Sequence, residues 1–150
     1  MIRRLALTLA LLPLVSAAPV PRAPRIVSIN PCIDAVLMQV ADPAQIAGIS
    51  HYSQDPRATS ISVALAKRFR ATSGTAEEVV ALAPDMVITG PHVEPATLAA
   101  LTRMKIAIVQ YPVPDSVEES EAQVRDIAKV AGHAARGEAL ARRIAVAARP

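Results

Sequence analysis

Short β-branched runs alternate with stretches of helical period along this chain, and that alternation limits the folds open to it more than any other feature. Residues 25–29 (Arg25-Ile26-Val27-Ser28-Ile29) form the first run, 45–50 the second, 86–90 the third and 106–109 the fourth. Each is too short for a stable helix and is apolar on both sides of the alternation, the pattern of a strand covered on both faces. Helical signals lie between them. Asn30 and Pro31 suit the cap and first position of a helix whose Ile33, Val36, Leu37 and Val40 recur at helical spacing, and Asp42-Pro43 stops it. Thr75 with Glu78 three residues on reads as a capping box, and Pro84-Asp85 ends the helix it opens. Pro95 stands near the start of an amphipathic helix over 94–104. Ser116 with Glu119 repeats the box ahead of a helix that runs to Val130 and breaks at Gly132, and a last helix spans 134–148. Residues 61–71 support a short helix only weakly, through Val63, Leu65, Ala66 and Phe69, because no strong cap flanks them.

Strands that alternate with helices predict an α/β fold: a single lobe with a short, mostly parallel β-sheet flanked by helices. With 150 residues one domain is expected, and 52% hydrophobic content is enough for its core. The single cysteine, Cys32, builds neither a disulfide framework nor a zinc cluster by itself. At the start of the first helix its thiol stands near the positive end of the dipole, but a small buried apolar residue is the better-supported reading. In open parallel sheets, ligands sit beyond the carboxyl ends of the strands. That rule selects Asn30-Pro31 after the first strand, His51-Tyr52 after the second and Gly90-Pro91-His92 after the third. Imidazole and phenolate are suitable ligands for haem iron or a transition metal, although His51, Tyr52 and His92 also pass as ordinary exposed loop residues. His133, beside Gly132, reads as a helix-end residue.

The first residues carry a separate signal. Met1-Ile2-Arg3-Arg4 is a short basic segment, residues 5–15 are apolar, and Val15-Ser16-Ala17 has the small residues that a signal peptidase reads. An export signal over 1–17 with cleavage after Ala17, a Pro-rich leader over 18–24 and a periplasmic product are expected. The apolar run falls short of the roughly 18 residues of a spanning helix, so the chain is not expected to be membrane-embedded. Loss of Arg3 and Arg4 leaves 14 basic side chains against 13 acidic ones. With dispersed arginines and only 2% aromatic residues, no nucleic-acid partner is implied.

Enzyme signatures are absent from the sequence: no G-x-S-x-G elbow, Walker loop, H-E-x-x-H or C-x-x-C is present. Ser28, Ser50 and Ser53 are conceivable nucleophiles with His51 or His92, but no spacing supports a triad. The chain is therefore expected not to be an enzyme and to hold no resident cofactor.

These residues resemble the periplasmic binding proteins of ATP-driven importers for iron-siderophores, haem and vitamin B12. The opening strand and turn, residues 25–31, look like the family's first strand and polar-Pro turn, and Ile46-Ala47-Gly48-Ile49-Ser50 like its second strand. The most specific match is the run Glu77-Glu78-Val79-Val80-Ala81-Leu82-Ala83-Pro84-Asp85-Met86-Val87-Ile88, similar to the family's helix, Leu-x-Pro-Asp turn and strand. The run from Ile106 to Pro112 resembles its fourth strand. The resemblance covers residues 25–148 but only the family's N-terminal lobe, over 25–133. Residues 134–150 then look like the start of the long helix that connects two lobes, with Leu140, Ile144 and Ala147 as the stripe that packs between them. A second lobe is absent, so a truncated form is expected.

The resemblance implies a solute-binding component that captures an iron chelate, a siderophore or haem, and delivers it to a membrane permease. It places the ligand at Asn30, Pro31, His51, Tyr52, Gly90 and His92, with Arg57 meeting an anionic siderophore or a haem propionate. It also implies that Glu77 docks on permease arginines. The family's vitamin B12 binders line the cleft with aromatic residues where this chain has Asp55, Ala71 and Gly90, which disfavours a corrinoid. A single-lobe adaptor without ligand, or a small periplasmic enzyme of unknown type, is the alternative.

Overall fold

The computed structural model describes residues 22–149. The export signal expected over 1–17 and the first residues of the leader lie outside the described residues. The elements are β1 (Ile26–Ser28), α1 (Pro31–Val40), β2 (Ile46–Ser50), α2 (Val63–Ala66), β3 (Ala71–Thr72), α3 (Ala76–Ala81), β4 (Met86–Thr89), α4 (Pro95–Arg103), β5 (Ala107–Gln110), α5 (Val117–Val130) and α6 (Ala134–Ala147). Short 3-10 turns occupy Pro43–Gln45 and His51–Gln54. All five strands pair in parallel in the order β3-β2-β1-β4-β5. The four strands expected from the sequence are all present. The fifth, β3, is only two residues long, too short to show a period.

The strands divide the core by their period of two. Ile26 and Ile88 face α1, α5 and α6, where they pack with Ile33, Leu37, Ile127 and Leu140. Val27 and Val87 face the other way and meet Val79, Leu82 and Leu101 from α3 and α4. β1 and β4 are thus covered on both sides, which is why their side chains are fully buried at Ile26, Val27, Val87 and Ile88.

The helix caps agree with the sequence reading in part. Asn30 Oδ1 accepts from the N–H groups of Cys32 at 2.9 Å and Ile33 at 3.3 Å, with Pro31 at the first position of α1. Thr75 and Ser116 cap α3 and α5 through the N–H groups of Glu78 and Glu119. Neither box closes reciprocally. The Glu78 carboxylate reaches past its cap to the Ser73 N–H at 2.6 Å and the Thr72 hydroxyl at 3.0 Å, and Glu119 turns to the Asp115 N–H at 2.8 Å. Gly132, at φ +86°, ends α5. The His133 N–H then donates to Ala128 O at 2.7 Å and the Gly132 N–H to Lys129 O at 3.0 Å, the paired bonds of a Schellman turn.

Two expectations are corrected. Cys32 is exposed, not buried, because it lies on the solvent side of the first turn of α1, between Pro31 and the buried Ile33. Leu140 and Ile144 pack into this lobe's own core against α1 and α5. They are therefore not held open as a stripe, and the outward face of α6 carries Ala139, Arg142, Val146 and Ala147 instead. His133 is a helix-end residue as expected: it stands at the cap of α6, with Nε2 at 2.6 Å from Gln45 Oε1. Among the described residues no helix is long and apolar enough to cross a membrane.

Candidate functional site

The strand order reverses between β1 and β4, since the chain leaves β1 for β2 and β3 on one side and then fills β4 and β5 on the other. A crevice opens beyond the carboxyl ends of the strands at such a reversal. Here a cleft of about 250 Å³ lies there, lined by Ile29 after β1, Tyr52 after β2, Ser73, Gly74 and Thr75 after β3, and His92 after β4. Loops from four strands therefore converge on one concavity.

Tyr52 and His92 both border this cleft, as the sequence placement required. Tyr52 is 51% exposed, so its ring is available at the rim. His51 stands beside it, the two ring centroids 4.0 Å apart and tilted by 35°. His51 Nδ1 lies 3.2 Å from the carbonyl of Thr72, which accepts only. Nδ1 therefore carries the proton in that contact. A phenol and an imidazole on one cleft, with a second imidazole beside the phenol, form a donor set suited to a metal centre carried in by a chelate. Among the described residues no group of three or more His, Cys, Asp or Glu stands close enough to hold a bare metal ion.

The other sequence-selected residues have different work. Asn30 is spent on capping α1, and a Cβ on Gly90 would stand 2.5 Å from Asn30 Nδ2. Gly90 is thus the residue that lets the cap fit at the reversal point. Asn30, Pro31 and Gly90 do not line that cleft; Asn30 borders instead a neighbouring cavity of about 70 Å³ with Cys32, Pro91 and Tyr111. Arg57 is highly exposed and folds back on Asp55 through Nε at 3.3 Å and Nη2 at 3.1 Å, away from the cleft lining. That guanidinium holds the Asp55 carboxyl below its ordinary range. Glu77 is exposed on the first turn of α3, and among the described residues its carboxylate makes no hydrogen bond.

Sequence reasoning missed the Ser73-Gly74-Thr75 wall. Its signal was Gly74, which takes φ +89° against Ile29, but without a recognised β3 nothing placed that turn at the sheet's edge. The conceivable nucleophiles Ser28, Ser50 and Ser53 are all buried. Ser50 and Ser53 bond to Asp34, another residue the sequence did not flag.

The sequence profile described as periplasmic binding protein matches residues 26–149. No curated protein sequence matches the chain. Among solved structures, the apo periplasmic haem-binding protein RhuT from Roseiflexus sp. RS-1 aligns with a TM-score of 0.67 and 23% identity, over 83% of this chain and 47% of that one. A periplasmic haem-binding protein from Pseudomonas aeruginosa aligns at 0.66 and 20%, over 82% and 44%. The periplasmic vitamin B12-binding protein BtuF of Vibrio cholerae aligns at 0.66 and 17%, over 84% and 49%. At these identities the likeness is one of fold, and the chain spans a little under half the length of each. The profile matches most of the chain, over the parallel sheet and the crevice just described, and its members bind solutes and are not enzymes. The chain belongs to the periplasmic binding protein family.

Proposed function

We propose that this chain is the N-terminal lobe of a periplasmic solute receptor that captures an iron chelate, a siderophore or haem, and hands it to the permease of an ATP-driven importer. Residues 25–133 form the body of the lobe, and α6, which completes its core, begins the connector toward a second one. The observation that carries the reading is the convergence of Tyr52 and His92 on the cleft at the strand-order reversal, with the His51 ring beside Tyr52. A phenolate oxygen and an imidazole nitrogen are the side-chain donors that ferric iron in a planar macrocycle accepts at its axial positions. The haem-binding neighbours of similar fold support this choice of ligand.

A single lobe supplies only one wall of the site. A buried ligand takes most of its contact from walls on every side, so one lobe holds it weakly. The test is an absorbance titration of the chain with haemin, with a ferric siderophore and with cyanocobalamin, repeated on Tyr52→Ala and His92→Ala. A saturable spectral change with haemin or the siderophore, lost in one of the variants and absent with cyanocobalamin, is expected. No change with either iron chelate would overturn the reading.

A further inference from the structure

Asp34 is the only buried carboxyl among the described residues. It lies in the first turn of α1, and its side chain is shut off from solvent. Oδ2 accepts from the Ser50 backbone N–H at 3.0 Å and from the Ser53 hydroxyl at 2.5 Å, whereas Oδ1 has no partner. The two donors bracket the cleft's binding turn: Ser50 immediately precedes His51, and Ser53 immediately follows Tyr52. One oxygen on α1 therefore grips the turn from both sides.

A neutral amide would offer an acceptor to the same donors without the cost of burying a charge. An acid at this position adds the ability to change charge. We propose that Asp34 is the positioning residue of the ligand cleft, a proton-sensitive clasp that sets the His51–Tyr52 turn through Ser50 and Ser53. This rests on the reading of that turn as part of the ligand site. When ionised, the carboxylate accepts both bonds with charge assistance. When protonated, it has a hydrogen to place: on Oδ2 it faces the Ser53 hydroxyl, and on Oδ1 it leaves Oδ2 a neutral acceptor without charge assistance. The grip loosens either way, so Tyr52 is held at neutral to alkaline pH and released as pH falls.

The surroundings support a switch in the neutral range. Burial pushes Asp34 up to about 7, against the pull of the Ser28 and Ser53 hydroxyls and the Ser50 N–H. No charged side chain contributes to that shift. α5 and α6 pack against α1, but the cations that reach it, Arg136 and Arg143, bond Val40 O and Gln39 Oε1 toward its far end. β1 and β2 present Ser28 and Ser50. The turn's own titratable groups are the His51 imidazole and the Tyr52 phenol.

Those two groups are separated from Asp34 by the design of the test. Tyr52 and Tyr111 are the only tyrosines and the chain has no tryptophan, so in a Tyr111→Phe background Tyr52 is the sole emitter and reports the turn with no ligand present. Its fluorescence is expected to titrate with a midpoint near 7. That transition should survive an added His51→Gln and vanish with an added Asp34→Asn. A transition that survives Asp34→Asn, disappears with His51→Gln alone, or is missing from the Tyr111→Phe protein would overturn the proposal. If Asp34→Asn does not fold, Ser53→Ala serves: loss of a hydroxyl that favours the anion moves the midpoint upward, and an unmoved midpoint would count equally against the clasp. Because no chelate is used, failure here leaves the ligand reading standing, and failure of haemin to bind leaves the clasp standing.

Discussion

Asn30 and Asp34 stand one helical turn apart, and their side chains accept hydrogen bonds at the two ends of the first turn of α1, Asn30 from that turn's own N–H groups and Asp34 from Ser50 and Ser53. The Asn30 cap holds two N–H groups of α1 while its amide nitrogen occupies the space above Gly90. Asn30→Ala is expected to destabilise the chain by about 1 kcal/mol in urea unfolding, the usual worth of such a cap. Asp34 acts on stability in the opposite sense. Its carboxyl binds a proton more tightly folded than unfolded, so the folded state holds more protons between the ordinary value of 3.8 and about 7. Stability from this group is therefore full below the lower value and declines as pH rises to the upper one. The whole span is worth on the order of 4 kcal/mol. Asp34→Asn should flatten that slope, gaining on the parent protein between pH 5 and pH 8 in thermal or urea unfolding. A variant whose deficit or gain is the same at both pH values would show that the folded carboxyl is already ionised across that range. Asp42 and Asp55, which Arg136 and Arg57 hold below the ordinary range, stay ionised across this window.

At the scale of elements, glycine positions set the last third of the chain. Gly132 ends α5 at φ +86°, and a Cβ there meets nothing within 4 Å. Gly137 sits where α6 crosses α5, and a Cβ there would stand 2.5 Å from Ala128 Cβ and 3.3 Å from Arg125 Cα. The two alanine variants should therefore differ in kind. Gly132→Ala carries only backbone strain, about 1 kcal/mol. Gly137→Ala gains helix propensity but drives two helices apart, and is expected to cost more in chemical unfolding than the other. Equal stabilities would mean that the α5–α6 contact gives way freely. The elements legible in the sequence were those with a cap and a period, such as α1 with Asn30 and Ile33, Leu37 and Val40. β3 was not legible, because Ala71 and Thr72 form a strand only by pairing with Ile49 and Ser50. The reach of Glu78 to Ser73 depends on that pairing too, so the capping box read from spacing alone named the right residues and only half of their bonds.

Over the whole molecule, the carboxyl ends of five parallel strands put Asn30, Pro31, His51, Tyr52, Gly90 and His92 at one pole. Glu77 stands at this pole as well, on the first turn of α3 behind the Ser73-Gly74-Thr75 wall of the cleft. Its neighbour Glu78 is already committed to Ser73 and Thr72, and those bonds hold its carboxyl below the ordinary range. On the receptor reading proposed above, Glu77 is the carboxylate of this pair left for a partner's cations. Glu77→Ala is expected to weaken capture by the permease several-fold in a pulldown or surface-binding assay while haemin affinity stays unchanged. Equal capture of parent and variant would remove the docking role. Arg57 belongs to a different layer of behaviour: its bond to Asp55 must break before it meets a propionate, so Arg57→Ala should change haemin affinity less than Tyr52→Ala does in the same titration.

The sequence by itself determined the α/β class, the four longer strands, the caps of α1, α3 and α5, and the placement of His51, Tyr52 and His92 at strand ends. Each of these rests on local chemistry: β-branched runs, a side chain three residues from the N–H it accepts, and a period of 2 or 3.6. Only the tertiary structure decided which of the selected residues share a cleft, that Asn30 is a cap pressed on Gly90, that Leu140 and Ile144 belong to this lobe's own core, and that Asp34 grips the binding turn. Those outcomes depend on strand order and on contacts between residues far apart in sequence, such as Gln45 with Ala131 across the core. Hydrogen-bond partners and burial are properties of neighbours in space, and no spacing along the chain encodes them.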